Sequence, residues 1–287
     1  MSLVRESSGK GNAVKTEAKE AILRGIVRKM GTALVAFSGG VDSTVVLKVA
    51  LDELGSDSVL AVTAHGEVHS RAELEAACAT AARLGVRHRV IAAKELSTPG
   101  YTDNPPDRCF LCRSAMWKAM TALAQEEGYA FVVEGANADD QGDYRPGMKA
   151  AALFGVRSPL LEAGLGKEEV RALARRLGLF EAERPASPCL ASRIPYGEPI
   201  TAEKLRMIEA GENYLRELGF SQVRVRHRGD LASIEVEESE LARAVEGSVR
   251  HAIVDHLRQL GFTYVALDLR GFRSGSLNES LVREKPA

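Results

Sequence analysis

Residues 38–44 read Ser38-Gly39-Gly40-Val41-Asp42-Ser43-Thr44. The preceding run, residues 32–37, is short and apolar and reads as a buried strand. Residues 43–54 read as a helix. A glycine-rich turn that carries a strand into a helix leaves the first helical N–H groups without partners. The helix dipole then favours an anion at that end. Gly39 and Gly40 permit a tight turn and a close backbone approach. Ser38, Ser43 and Thr44 add hydroxyl donors. The stretch holds no lysine, so it is not the Walker pattern of kinases and ordinary P-loop ATPases. A plain glycine turn with Ser and Asp capping the helix would use the same residues.

Outward from this loop, strands and helices alternate. Residues 13–29 have helical spacing (Ala18, Ala21, Ile22, Ile26). Strands are expected at 59–64, 87–92 and 130–134, and helices at 70–84 and 112–127. This order implies right-handed βαβ units and a parallel sheet. Residues 97–108 are rich in Pro, Asp and Asn and read as a loop. So do 135–159, around one short helix, and 183–199, which contain four prolines. A helix is expected at 167–177. From about residue 200 the pattern changes to a helix at 202–218, a hairpin of 223–227 and 231–236 around Gly229-Asp230, a helix at 249–260 and a strand at 263–269.

The bulk composition narrows the classes. The chain has 287 residues, 45% hydrophobic and 27% charged, which suits one large or two small globular domains. A net charge of −1 gives no global field for nucleic acid. No run approaches the roughly 18 apolar residues of a membrane span. Residues 1–12 are polar and lack the apolar core of a secretory signal, so a frayed terminus and a cytoplasmic protein are expected. Four cysteines are too few for a disulfide framework in a chain this long, and clustered cysteines then point to metal or catalysis.

Two further strings face the same question. Glu134-Gly135-Ala136-Asn137-Ala138-Asp139-Asp140, followed by Asp143-Tyr144-Arg145-Pro146-Gly147, comes just after a predicted strand. Ligands of open parallel sheets bind beyond the carboxyl ends of strands, so this loop is expected to share a crevice with Ser38 and Ser43; composition alone describes an Asx-rich surface loop. Pro188-Cys189-Leu190-Ala191-Ser192-Arg193-Ile194-Pro195-Tyr196-Gly197 sets a cysteine among prolines, positioned or merely packed. Cys109-Phe110-Leu111-Cys112 lies just before a predicted helix; a bare CxxC suits a redox pair, half a zinc site or chance.

Residues 38–43 resemble the SGGxDS signature of PP-loop ATP pyrophosphatases. The NADD-x-x-DYRPG and CLASRIPYG strings together resemble the LarE family of ATP-dependent sacrificial sulfur transferases. The likeness runs from about Ala18 to Glu279. It implies an α/β fold: a parallel-sheet PP-loop domain over 1–199, Rossmann-like and of the adenine nucleotide alpha hydrolase type. A smaller C-terminal α+β domain over 200–287 would serve substrate binding and oligomerisation.

The resemblance further implies ATP cleaved between its α- and β-phosphates with Mg²⁺, and pyridinium-3,5-biscarboxylic acid mononucleotide as substrate. The carboxylates become thiocarboxylates of the nickel-pincer nucleotide that lactate racemase uses. A carboxylate oxygen is a poor leaving group; adenylation replaces it with AMP, and a thiolate can then attack. Ser38, Gly39, Gly40, Asp42, Ser43, Thr44, Gly135, Asp139 and Asp140 are the expected ATP-binding set, with Asp42 holding metal or shaping the loop.

By match to the family's donor position, Cys189 supplies the sulfur, with Ser192 and Arg193 beside it as hydrogen-bond donor and anion contact. Some members carry three cysteines that hold a [4Fe-4S] cluster, and Cys109, Cys112 and Cys189 fit that pattern. Cys78 reads as packing. On the C-terminal hairpin, alternation puts Arg224, Arg226 and Arg228 on one face. With Arg270 to Arg273 they are either a solvated basic strand or a cradle for the substrate phosphate, with Arg224, Arg226 and Arg270 as the contacts. A homo-oligomer is expected. The rivals are a PP-loop tRNA thiolase, which wants a basic surface, an ammonia-dependent synthetase, which needs no cysteine triad, and an inactive nucleotide-binding module. His65 and His69 receive no role.

Overall fold

The computed structural model describes residues 4–142, 146–183, 188–273 and 275–279. The Asp143-Tyr144-Arg145 part of the second string lies outside them. The chain forms two compact units. One comprises Met1–Lys94 with Asp107–Ala186, the other Glu95–Pro106 with Ser187–Ala287.

The first unit runs α1 (Val4–Arg28), β1 (Ala33–Ala36), α2 (Val41–Leu54), β2 (Val59–His65), α3 (Arg71–Leu84), β3 (Arg87–Ala92), α4 (Arg108–Glu126), β4 (Phe131–Val133), α5 (Pro146–Leu153), α6 (Pro159–Glu162) and α7 (Lys167–Arg176). Its sheet has the order β3-β2-β1-β4, every neighbouring pair parallel. Period-two alternation divides the strand residues between two cores. Ala33, Val35, Val59 and Ala61 pack with α1, α2 and α7; Leu34, Leu60 and Val62 pack with Trp117, Met120 and Ala150 of α4 and α5. Burial on both faces explains why these strands read as unbroken apolar runs. The predicted α/β parallel-sheet fold is what forms.

Two helices, α1 and α4, start well before the point that periodicity indicates. α1 begins at Val4 rather than Ala13, drawing the polar start into a helix whose packed part holds Leu23 and Val27 at full burial. α4 begins at Arg108, so Cys109 and Cys112 lie within its first two turns and the pair does not precede the helix.

The chain moves outward through β1, β2 and β3, then returns to the other side of β1 with β4. That reversal is a topological switch point, and the loops after β1 and β4 meet there. A Cβ on Gly135 would lie 2.7 Å from the Ser43 nitrogen. Only glycine lets the second loop approach the first this closely.

The second unit contains α8 (Ala202–Glu217), β5 (Val223–Arg228), β6 (Leu231–Val236), α9 (Leu241–Ala244), α10 (Gly247–Gln259) and β7 (Tyr264–Leu267). β5 and β6 form the expected antiparallel hairpin, and β7 adds parallel to β6. Val223, Val225, Ile234 and Val236 build its core with Leu215 and Leu257 from the helices. Residues 95–106 belong to this unit because Asn104 is fully buried and its amide donates to the carbonyls of Ile194 (3.3 Å), Pro195 (2.7 Å) and Glu198 (3.0 Å). Among the described residues no helix is long and apolar enough to cross a membrane.

Candidate functional site

The phosphate loop closes on itself. Gly39 takes φ +73°, and a Cβ there would come within 3.0 Å of the Ala77 Cα. The Ser38 and Ser43 hydroxyls are 3.1 Å apart, and Ser43 Oγ donates to the Gly40 carbonyl at 3.1 Å. Thr44 is fully buried, and its hydroxyl and N–H both go to that carbonyl, at 2.9 and 3.0 Å. Thr44 therefore braces the turn. Because the helical ladder starts at Thr44, the N–H groups of Val41, Asp42 and Ser43 have no intrahelical acceptor. They form a fourteen-residue helix's positive end, and this fits a phosphate.

The second loop fixes what lies beside these donors. Asp140 accepts from the Asn137 N–H at 3.0 Å, and the Asn137 side-chain oxygen accepts from the Asp139 N–H at 3.0 Å. These are Asx turns, as composition suggested. Asp139 also accepts the Lys167 N–H at 2.7 Å, which holds the start of α7. Asp42 is not bare: Asn137 Nδ2 approaches one oxygen at 3.4 Å, and the Lys167 ammonium pairs with the other. Lys167 was not foreseen, since nothing local in 160–170 marks it as part of a site 125 positions upstream.

Behind the loop, Glu134 is buried and bonded to Arg113 (3.2 Å) and Ser158 (3.2 Å). Burial raises its pKa despite the nearby Arg113. His69 is lowered to about 4, by burial first and then by His65 and Arg113.

All four cysteines are free thiols; Cys109 is exposed, and Cys78, Cys112 and Cys189 are half-buried. Cys109 and Cys112 are three residues apart on one helix and so share a face. They fit two positions of a sulfur-ligated centre. Cys189 belongs to the other unit, just ahead of the short turn Leu190–Arg193. Among the described residues no three or more His, Cys, Asp or Glu are gathered about one metal position.

In the second unit the expected anion contacts prove to be committed elsewhere. Arg193 is 1% exposed and grips Glu212 with two bonds of 2.7 and 2.9 Å. Its remaining nitrogen donates to the carbonyls of Pro188 (2.5 Å) and Cys189 (2.9 Å) and to Ser192 Oγ (3.0 Å). Arg193 thus shapes the Cys189 loop. Burial works to raise Glu212, but Arg193, Arg224 and Arg216 outweigh it and hold the carboxyl low. Arg226 grips Glu235 in the same bidentate way, both bonds 2.9 Å, and also donates to the Ser192 carbonyl and to Ser276.

Arg224 is buried, lies 4.9 Å over the Phe272 ring and is lowered to about 10 by burial and then by Arg193. The solvated-strand reading does not hold for these two residues. Arg270 is exposed and paired with Glu279 at 3.2 Å. A pocket does form here, lined by Arg193, Arg226, Arg228 and Arg273 against Glu235, Asp268 and Glu279. Arg224 and Arg270 do not line it. Arg228, exposed at the hairpin end, stands outside every ion pair among the described residues.

Comparison with known proteins adds three findings. The queuosine biosynthesis protein QueC family profile matches residues 32–103, the phosphate loop through β3. The chain is 40% identical to the pyridinium-3,5-bisthiocarboxylic acid mononucleotide synthase of Lactiplantibacillus plantarum, over 94% of this chain and 97% of that one. It is 44% identical to an uncharacterized Synechocystis protein, over 93% and 99% of the two chains.

Proposed function

This chain belongs to the LarE family of PP-loop enzymes, and from that membership we propose that it is a pyridinium-3,5-biscarboxylic acid mononucleotide sulfurtransferase, releasing AMP and pyrophosphate. The observation that carries the reading is the phosphate loop at the switch point, with three unpartnered helical N–H groups and a second loop pressed against it.

The chemistry follows from the parts. The loop binds the ATP phosphates through backbone N–H groups, and Gly39, Gly40 and Gly135 keep the approach open. Mg²⁺ held by Asp42 would offset phosphate charge and polarise the leaving group. The substrate carboxylate attacks the α-phosphate and becomes an acyl-adenylate. A thiol sulfur then displaces AMP. Cys189 is the sulfur-bearing position; Arg193 orients its loop, and Ser192 receives a bond from Arg193. The pocket lined by Arg226, Arg228 and Arg273 would take the mononucleotide phosphate. The C-terminal part, from about residue 200, is read as the substrate-binding and oligomer-forming domain.

Cys109 and Cys112, one turn apart on an accessible helix face, support a role with Cys189 as ligands of a [4Fe-4S] cluster. Such a cluster, when bound, would supply a sulfide and spare the protein's own sulfur.

The experiment supplies ATP, Mg²⁺ and the dicarboxylated mononucleotide to anaerobically purified protein. AMP, pyrophosphate and thiocarboxylate are the expected products; ADP and phosphate would refute the reading. Iron and sulfide quantitation on the same sample tests the cluster. Its absence, with a mass loss of one H₂S at Cys189 after a single turnover, would assign the sulfur to Cys189 itself.

A further inference from the structure

The direction in which the phosphate loop leaves β1 is set by its first peptide plane. The carbonyl of that plane belongs to Phe37 and its N–H to Ser38. The bonding of β1 to β2 carries on as far as the Phe37 N–H, which donates to the Val62 carbonyl at 2.8 Å. The Phe37 carbonyl meets a side chain: the hydroxyl of buried Thr63, on β2, donates to it at 2.6 Å. Thr63 Oγ1 is also 2.8 Å from Nε2 of His88, on β3. Thr63 lies opposite Val90, and His88 comes two residues before Val90, so strand alternation puts both side chains on one face. The Phe37 and His88 rings meet edge to face, 6.0 Å between centroids.

Proton supply fixes the direction of these bonds. Thr63 has one hydroxyl proton, and the carbonyl, which has none to give, takes it. His88 must then donate through an Nε2–H. Burial pushes the His88 pKa below its ordinary value, so near pH 7 the ring is neutral and carries its single proton on Nε2. Beyond the peptide, the Ser38 N–H donates to Ser43 Oγ at 3.3 Å, and Ser43 Oγ donates to the Gly40 carbonyl at 3.1 Å. One run of hydrogen bonds thus leads from the edge strand β3 through Thr63 and the Phe37–Ser38 peptide to the turn of the loop. Bonds in such a run polarise and steady one another.

From this run we infer that Thr63 and His88 are positioning residues of the phosphate loop: Thr63 fixes the Phe37–Ser38 peptide, and His88 aims the Thr63 hydroxyl. The inference rests on the phosphate-loop reading above. Both residues act through Ser38 and Ser43, which set where the free N–H groups at the start of α2 are presented. Donors aimed in advance need no reorganisation when charge builds on the departing pyrophosphate. Valine has nearly the shape of threonine and suits a strand as well, so the hydroxyl is the part that the loop uses.

The test is calorimetric binding of pyrophosphate and of AMP, each measured without added divalent metal so that only protein contacts are read. Thr63→Val should weaken pyrophosphate binding about fivefold to tenfold while AMP affinity stays within about twofold. Thr63→Ser, which restores the hydroxyl, should return pyrophosphate affinity to within about twofold of wild type. His88→Leu should weaken it about threefold. The double variant should bind no more weakly than Thr63→Val, because the run is already cut at Thr63. Circular dichroism confirms that each variant is folded, and nitrogen NMR of the wild-type protein should find the His88 proton on Nε2. Unchanged pyrophosphate affinity in Thr63→Val, equal weakening of both ligands, additive losses in the double variant, or a His88 proton on Nδ1 would each overturn the inference. Wild-type protein that binds no pyrophosphate would bring down the phosphate-loop reading itself, a result distinct from any of these.

Discussion

Two regions of this chain were expected to hold phosphate, and they are built in opposite ways. The loop after β1 uses backbone donors that its own geometry leaves unpaired, with the Asp42–Lys167 pair beside it. In the arginine region of the second unit the buried cations are already paired, and Arg228 at the hairpin end is left open. Arg193 and Arg226 each face a buried carboxylate squarely, and the nitrogen each has left donates to a carbonyl beside Cys189, that of Cys189 itself or of Ser192. An arginine's presence thus says little about its availability. A buried guanidinium must be paired, so the more deeply a strand is buried, the fewer of its cations are left for a ligand.

The largest expected effect tests the closed network. Arg193→Ala leaves Glu212 buried without its main partner and should cost about 3–5 kcal/mol of stability, read from chemical denaturation. Replacing both residues by apolar ones, Arg193→Met with Glu212→Leu, should recover much of the loss. A single variant as stable as wild type would break the comparison.

The open region predicts a kinetic effect rather than a structural one. Asp42→Ala or Ser43→Ala should lower adenylation at least about 10²-fold, the scale of losing one preorganised group at a charged centre. Thermal unfolding should barely change, because Asp42 is part-exposed in its pair with Lys167. Loss of folding would move this loop into the same class as the arginine network.

A finer distinction lies inside the second unit. Arg228→Ala should raise KM for the mononucleotide by the equivalent of about 1.5–3 kcal/mol, with ATP unaffected. Arg270→Ala, at an exposed pair, should change little. If Arg270 proves the stronger determinant, the pocket is not the phosphate site.

A last expected effect, read against pH and not against a change in a ligand contact, concerns His69, which follows β2. Its pKa is lowered to about 4 by burial, His65 and Arg113. The unfolded chain protonates this ring below about pH 6.5, while the folded chain resists until about 4. Stability should therefore fall as pH drops through that window, by at most about 1.4 kcal/mol per pH unit, and be flat above it. His69→Gln should remove this slope in a pH series of denaturation curves; an unchanged slope would assign it to other groups.

The alternation of strands and helices, the parallel sheet and the phosphate loop are legible from residue pattern alone. Each is written in local terms. Strands buried on both faces are unbroken apolar runs, and a turn between strand and helix needs its glycines within a few residues. The Gly229 hairpin was legible for the same reason. The start of α4 was not, because Arg108 and Cys109 carry no apolar period, and that start decides that the two cysteines share a helical face.

Tertiary structure alone decided which charges are spent and which are open. Lys167 reaches Asp42 across 125 positions, Arg193 meets Glu212 through the placement of α8, and Asn104 joins a distant loop to the residues after Cys189. Ion pairs and buried amides form wherever the chain's path brings complementary groups together. Residue type states what a side chain can bond, and only the path states what it has already bonded.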